Sequence, residues 1–143
     1  MKKALAVLAA LAILLSGCTA VDVRPVDSAH NLQHVCIENN PKVIVAGFVD
    51  TVENVFHDHL ITTEVYHSAA PDHCQYRLTY TALRSWDMAP YLSHAELRLF
   101  EGHRRIGYAE YHLRGKGGFA LNKWASVKSK MTPVVQELLA QYR

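Results

Sequence analysis

Apolar and polar residues alternate with a period of two from Tyr76 to Ala82, where Tyr76, Leu78, Tyr80 and Ala82 are interleaved with Arg77, Thr79 and Thr81. Successive side chains of a strand point to opposite faces, so this pattern predicts a strand with one face buried and the other wet. Ala95, Leu97 and Leu99 repeat it against Glu96 and Arg98. Glu101-Gly102-His103 then supplies a hairpin turn, and Ile106 to Leu113 the returning strand, with Gly107 marking a bulge or a close approach. Ile61 to His67, rich in β-branched residues, is a further strand closed by the turn Ser68 to Asp72, and Val35 to Glu38 is a short one. Met88-Ala89-Pro90 breaks the chain between the alternating segments.

Twice the apolar period lengthens to that of a helix. Val45, Phe48, Val49, Val52, Val55 and Phe56 share one helical face. Asn40-Pro41 predicts the start of this helix, Asn as the cap and Pro in the first turn, and it runs to about His59 or Leu60. Gly47 inside it costs about 1 kcal/mol relative to Ala, which predicts a close neighbour. Trp124, Val127, Met131, Val134, Val135, Leu138 and Tyr142 outline a second helix, which Pro133 should bend or relieve of a hydrogen bond near residue 129. The order β-α-β-β-β-β-α predicts an α+β two-layer sandwich, a mostly antiparallel sheet of about five strands with two helices on one face. The first strand is expected to pair parallel to the second through the first helix, in a right-handed crossover.

Ahead of these elements, Lys2 and Lys3 precede twelve apolar residues, Ala4 to Leu15. That run is well short of the roughly 20 that span a bilayer and fits the apolar region of a signal peptide. Leu15-Ser16-Gly17-Cys18 resembles the lipobox of bacterial lipoproteins, in which the cysteine is acylated and becomes the new N-terminus. A plain secretory peptide cleaved after Ala20 is the alternative. The expected organisation is a signal peptide at 1–17, a lipidated N-terminus and polar tether at 18–34, and one domain at 35–143. Fifteen tether residues would reach at most about 50 Å. Thr19 stands where Asp marks inner-membrane retention in enteric-type bacteria, so the resemblance implies the outer membrane.

Two of the fifteen lysines and arginines lie in the signal, leaving thirteen against thirteen acids. A nucleic-acid surface normally carries a clear basic excess, so no such partner is expected. With Cys18 assigned to lipid, Cys36 and Cys74 are an even pair in an oxidising compartment, expected as a disulfide. Closing that loop would contribute about 3.5 to 4 kcal/mol. Two buried thiols, or one thiol as a metal ligand, are the competing readings.

Nine histidines invite a metal reading. His57 and His59 would point about 200° apart on a helix and could share an ion only on a strand. His67, His73 and Cys74 could cluster at one strand end, but a disulfide would remove the thiolate. No HExxH, Cys-x-x-Cys or closed four-ligand spacing occurs, and neither a metal nor a cofactor is expected. Gly115-Lys116-Gly117-Gly118 lacks the spacing of a phosphate-binding P-loop and reads as a flexible connection, or as an anion cradle with Lys116 and Lys123 nearby. Trp86 and Asp87, beside Ser85, are candidate ligand contacts for a sugar or peptide side chain, though a tryptophan there also suits the core. Glu96 and Glu110 are expected to face each other across the hairpin, with Arg98 and His112 beside them, as a solvated charge ladder rather than a glycosidase pair. No nucleophile elbow appears, and no catalytic residue is assigned.

From Ile37 to Trp124 the chain resembles small lipoproteins of Shewanella-like gammaproteobacteria. The resemblance rests on Asn40-Pro41-Lys42-Val43, Gly47-Phe48, Ile61-Thr62-Thr63, Leu78-Thr79-Tyr80-Thr81-Ala82, Trp86-Asp87, Ala95-Glu96-Leu97-Arg98-Leu99 and Lys123-Trp124. It implies no activity. The order of elements is also similar to the N-terminal module of TolB and to LpoB-type envelope lipoproteins, at the level of fold alone. The expectation is a lipoprotein on the periplasmic face of the outer membrane, held by lipid, whose non-enzymatic domain binds an envelope protein or a glycan such as peptidoglycan. A small periplasmic hydrolase and a histidine-rich metal-handling lipoprotein are the alternatives. An exposed apolar groove would favour the first reading, a deep cleft with paired titratable groups the second, and convergent histidines the third.

Overall fold

The computed structural model of the chain describes residues 19–118 and 120–142; the signal peptide expected at 1–17 and the lipidation expected at Cys18 lie outside them. Six strands form one sheet in the order β1-β6-β5-β4-β2-β3: β1 Thr19–Arg24, β2 His34–Glu38, β3 Thr62–Tyr66, β4 Tyr76–Asp87, β5 Ala89–Glu101 and β6 Arg104–Leu113. Two helices, α1 Phe48–Asp58 and α2 Val127–Leu138, complete the α+β sandwich. The expected succession holds from His34 onward. The sheet nevertheless has six strands rather than five, because residues 19–24 are not a tether.

Those residues form β1, antiparallel to β6, with Thr19 opposite Leu113 and Arg24 opposite Tyr108. An edge strand is covered on one side only, and most of β1 remains partly or fully exposed, so its composition carries little alternation. The segment that follows is also part of the fold. Val26 and Leu32 are buried in the core, and the Val26 amide donates to the Leu138 carbonyl at 2.9 Å.

β2 pairs parallel with β3 through α1, as expected, and also parallel with β4, placing Ile37 beside Leu78. β4, β5, β6 and β1 are antiparallel neighbours. The alternation read from the sequence is realised in full: Leu78, Ala95, Leu97 and Leu99 are wholly buried on the helix-covered face, while Thr79, Glu96 and Arg98 lie partly exposed on the other. Gly107 is both a bulge neighbour and a close approach. The β5–β6 register shifts between Leu99 and Phe100, and a Cβ on Gly107 would meet Val26 Cγ2 at 2.6 Å and Leu138 Cδ1 at 3.1 Å.

Three local expectations are corrected. α1 begins at Phe48 and not at Asn40-Pro41, because Asn40 is used otherwise. Its Nδ2 donates to the Tyr80 carbonyl at 2.9 Å, and its Oδ1 accepts from the Lys42 amide at 3.1 Å, so it fastens the loop instead of opening a helix. Gly47 is the helix cap at φ +71°, and a Cβ there would meet nothing within 4 Å; backbone conformation, not a close neighbour, calls for glycine. Second, Met88-Ala89-Pro90 is not a broad break. Met88 alone separates β4 from β5, and Ala89 and Pro90 already pair with Asp87 and Trp86. Third, α2 starts at Val127, where the Ser126 hydroxyl accepts from the Ser129 amide at 3.0 Å. Trp124 lies before it, in a 3₁₀ turn at Leu121–Trp124. Pro133 sits on the exposed side of α2, so a carbonyl it frees near residue 129 faces water.

Cys36 and Cys74 are joined by a disulfide, with Cα atoms 5.8 Å apart, tying β2 to the turn before β4.

Met131, Val134, Val135 and Leu138 line the buried face of α2, and Leu138 has no exposed surface. Leu138→Ala should therefore cost about 2 to 5 kcal/mol, whereas Lys128→Ala on the exposed face should stay within about 0.5 kcal/mol. Denaturant melts of the two variants check this; a wild-type-like Leu138→Ala would remove α2 from the core.

Candidate functional site

The long β4–β5 hairpin carries Trp86 and Asp87 to one end of the molecule, where the turn holding Lys123 and Trp124 meets it. Lys123 is only 6% exposed. Its Nζ is ion-paired with Asp87 Oδ2, donates to the Gly118 carbonyl at 2.8 Å and lies 4.5 Å from the Trp124 ring centre. Trp124 Nε1 in turn donates to the Asp87 carbonyl at 2.8 Å. Asp87 and Lys123 thus satisfy each other as a clasp between hairpin and turn, an arrangement suited to fixing the tip in place. Lys116 belongs to the neighbouring 3₁₀ turn, Arg114–Gly117, and its side chain lies outside the description.

Trp86 is different. It is 75% exposed, and Met88 at the reversal is 84% exposed. Beside the tip runs an apolar groove of about 250 Å³ lined by Ile44, Val45, Pro90, Leu92, Trp124 and Val127. Ile44 and Leu121 are also exposed at this end. The sequence identified Trp86 but placed Trp124 in the second helix, took Met88 only as part of a chain break and left Ile44 and Leu121 unassigned. An apolar residue at an exposed turn is invisible to periodicity, which registers only faces of regular elements.

On the other face of the sheet, Glu96 and Glu110 are direct cross-strand partners, as expected, and Arg98 is ion-paired with Glu96. Among the described residues, two groups of potential metal-ligand atoms converge: His34, Cys36, Glu64 and His73, and His94, Glu96 and Glu110. In the first, the disulfide leaves Cys36 without a thiolate, and His67 is not a member. His57 and His59 are engaged separately, His57 Nε2 with Thr63 Oγ1 and His59 Nδ1 with the Val55 carbonyl, each at 2.8 Å. Among the described residues no helix is long and apolar enough to cross a membrane.

Sequence reasoning missed Lys130 altogether, since a lysine inside an amphipathic helix reads as its wet face. It is buried between α2 and the sheet. Its Nζ donates to the Leu92 carbonyl at 2.9 Å and to the Lys123 carbonyl, and lies 5.6 and 5.9 Å from the Tyr91 and Tyr111 ring centres. Burial lowers its pKa from 10.5 to about 8. The folded state therefore sheds this proton before the unfolded state does. The penalty for the buried charge is complete below about pH 8 and fades as pH rises towards 10.5. Relative to Lys130→Met, wild-type protein should gain stability between about pH 8 and 10.5. Parallel pH-dependent slopes in denaturant melts would show that the lysine is not strained in this way.

No protein-family model and no curated protein matches the sequence. Among solved structures the chain is similar to a PelC dodecamer from Paraburkholderia phytofirmans, with a TM-score of 0.59 and 11% identity over 87% of this chain and 98% of that one. It is similar also to a single-substitution variant of that dodecamer, with a TM-score of 0.50 and 11% identity over 81% and 96% of the two chains. At such identity the likeness is one of fold alone.

Proposed function

We propose that this chain is an exported envelope protein, lipid-anchored through Cys18 at the outer membrane, whose α+β domain works by binding and not by catalysis. The observation that carries the reading is the bare apolar tip of the β4–β5 hairpin, Trp86 and Met88, beside the groove at Ile44 and Trp124. Burying each such side chain is worth about 1.5 to 3 kcal/mol, so a tip this exposed favours a partner. The Cys36–Cys74 disulfide supports an oxidising compartment. β1 begins at Thr19, so a lipid on Cys18 would hold the sheet edge directly at the membrane surface, with no tether between.

The occupant of the tip is a second copy of this chain. The support is that PelC, whose solved structure shares this fold, is a dodecamer, as is its single-substitution variant. Other envelope proteins and glycans are the competing occupants.

Two measurements test the reading. Intact mass of the protein recovered from membranes should show Cys18 as an acylated N-terminus, and Cys18→Ser should abolish the acyl mass; an unmodified N-terminus beyond residue 18 refutes the anchor. Light scattering of the full-length protein in detergent should give an oligomer that Trp86→Asp with Met88→Asp reduces to a monomer of unchanged melting temperature. A wild-type monomer at every concentration refutes self-association. Retention of that monomer by purified peptidoglycan, again dependent on Trp86, would identify a glycan as the occupant instead.

A further inference from the structure

The water-exposed face of the sheet holds an arrangement that neither the tip nor the core requires. We propose that His94, His112 and Glu110 bind one zinc ion across strands β5 and β6. His94 and His112 are direct cross-strand partners, and their Nδ1 atoms lie 3.3 Å apart. Two nitrogens each about 2.0–2.1 Å from one ion at a tetrahedral angle are separated by about 3.3 Å. Glu110 Oε1 lies 3.7 Å from the same His94 nitrogen; as the side chains stand it is Glu96 that converges with His94 and Glu110, so a turn of Glu110 towards His112 is part of the proposal.

The groups behind the ligands prepare them. His94 Nε2 is 3.0 Å from Glu96 Oε1. A carboxylate only accepts, so Nε2 carries a proton, and in the neutral imidazole Nδ1 is then the atom with the free lone pair. Glu96 is itself held by Arg98. Glu110 directs one oxygen at His94, while its other oxygen accepts from the Tyr108 hydroxyl at 3.0 Å. Asp22 on β1 pairs with Glu110, so Glu96, Glu110 and Asp22 lie around the site, with Arg98 held by Glu96 and Arg84 on the wall of the adjoining cavity. The His94 side chain is 18% exposed, and a cavity of about 680 Å³ opens beside it, leaving room for water at a fourth position. Two imidazoles and a carboxylate are a donor set that zinc accepts with one position open. The group at His34, Glu64 and His73 is less suited, because His73 Nε2 is already bound to Glu64 at 2.6 Å and Cys36 is consumed by the disulfide.

The untagged full-length protein, purified in detergent and stripped with chelator, is titrated calorimetrically with Zn²⁺ alone. One ion per chain is expected. His94→Ala or His112→Ala should weaken binding at least ~10-fold and Glu96→Gln by about 10- to 100-fold, with His73→Ala unchanged. Absence of saturable binding overturns the proposal, as does binding that survives the His94→Ala/His112→Ala pair or is lost with His73→Ala. Wild-type protein loaded with Co²⁺ gives a reading that needs no variant to fold. Strong visible absorption marks four-coordination, and a weak, water-like spectrum overturns the site.

Discussion

Leu97 of β5 sits opposite Ala109 of β6, and Leu99 opposite Gly107, and on this register both faces of the sheet depend. A one-residue slip would turn each of those side chains to the other face. Gly107 pins the register because only a residue without a Cβ lets Val26 and Leu138 pack against the strand at that point. The same pairing that buries Leu97 and Leu99 under the helices necessarily sets Glu96 against Glu110 and His94 against His112 on the wet side. The core and the proposed metal site are thus two consequences of one alignment.

The contact at Gly107 also explains why the N-terminal segment cannot be a tether. Val26 fills the space above the glycine, its amide is tied to the last turn of α2, and β1 completes the sheet alongside β6. Chain entropy favours a loose segment unless something offsets about 1 to 2 kcal/mol per ordered residue. Here a wholly buried valine, a nearly buried leucine and a full set of ladder pairs provide that offset.

Two lysines in the helix layer show how burial and hydrogen bonding combine. Lys123 meets a carboxylate, a carbonyl and an aromatic face, whereas Lys130 meets carbonyls and aromatic faces. Only Lys130 lacks a carboxylate among these contacts, and burial draws its proton affinity down. Both lysines brace the segment that carries Trp124, so the apolar end of the molecule rests on a rigid polar support. That suits a surface whose role, on our reading, is to meet a partner without rearranging.

The sequence by itself determined the succession of elements from His34 to Leu113 and most of the two helical faces, because period and β-branched content are local properties; it favoured the pairing of Cys36 with Cys74 over free thiols only by setting Cys18 aside for lipid. It determined as well that Glu96 and Glu110 would lie on the wet face, since each stands between buried neighbours of its own strand; that they fall opposite each other depends on the register shift between Leu99 and Phe100, which the turn at Gly102 does not predict. Tertiary structure alone decided the rest. Asn40-Pro41 looked like a helix start until Tyr80 claimed the asparagine, and residues 19–24 showed no strand pattern because an edge strand buries too little to need one. Lys130 was indistinguishable from a surface lysine until the sheet closed over it. The approach of two histidine nitrogens to 3.3 Å depends on rotamers and on Glu96 as an acceptor, which no spacing along the chain encodes. Periodicity reports which face a residue lies on; what it meets there is settled only when the faces are assembled.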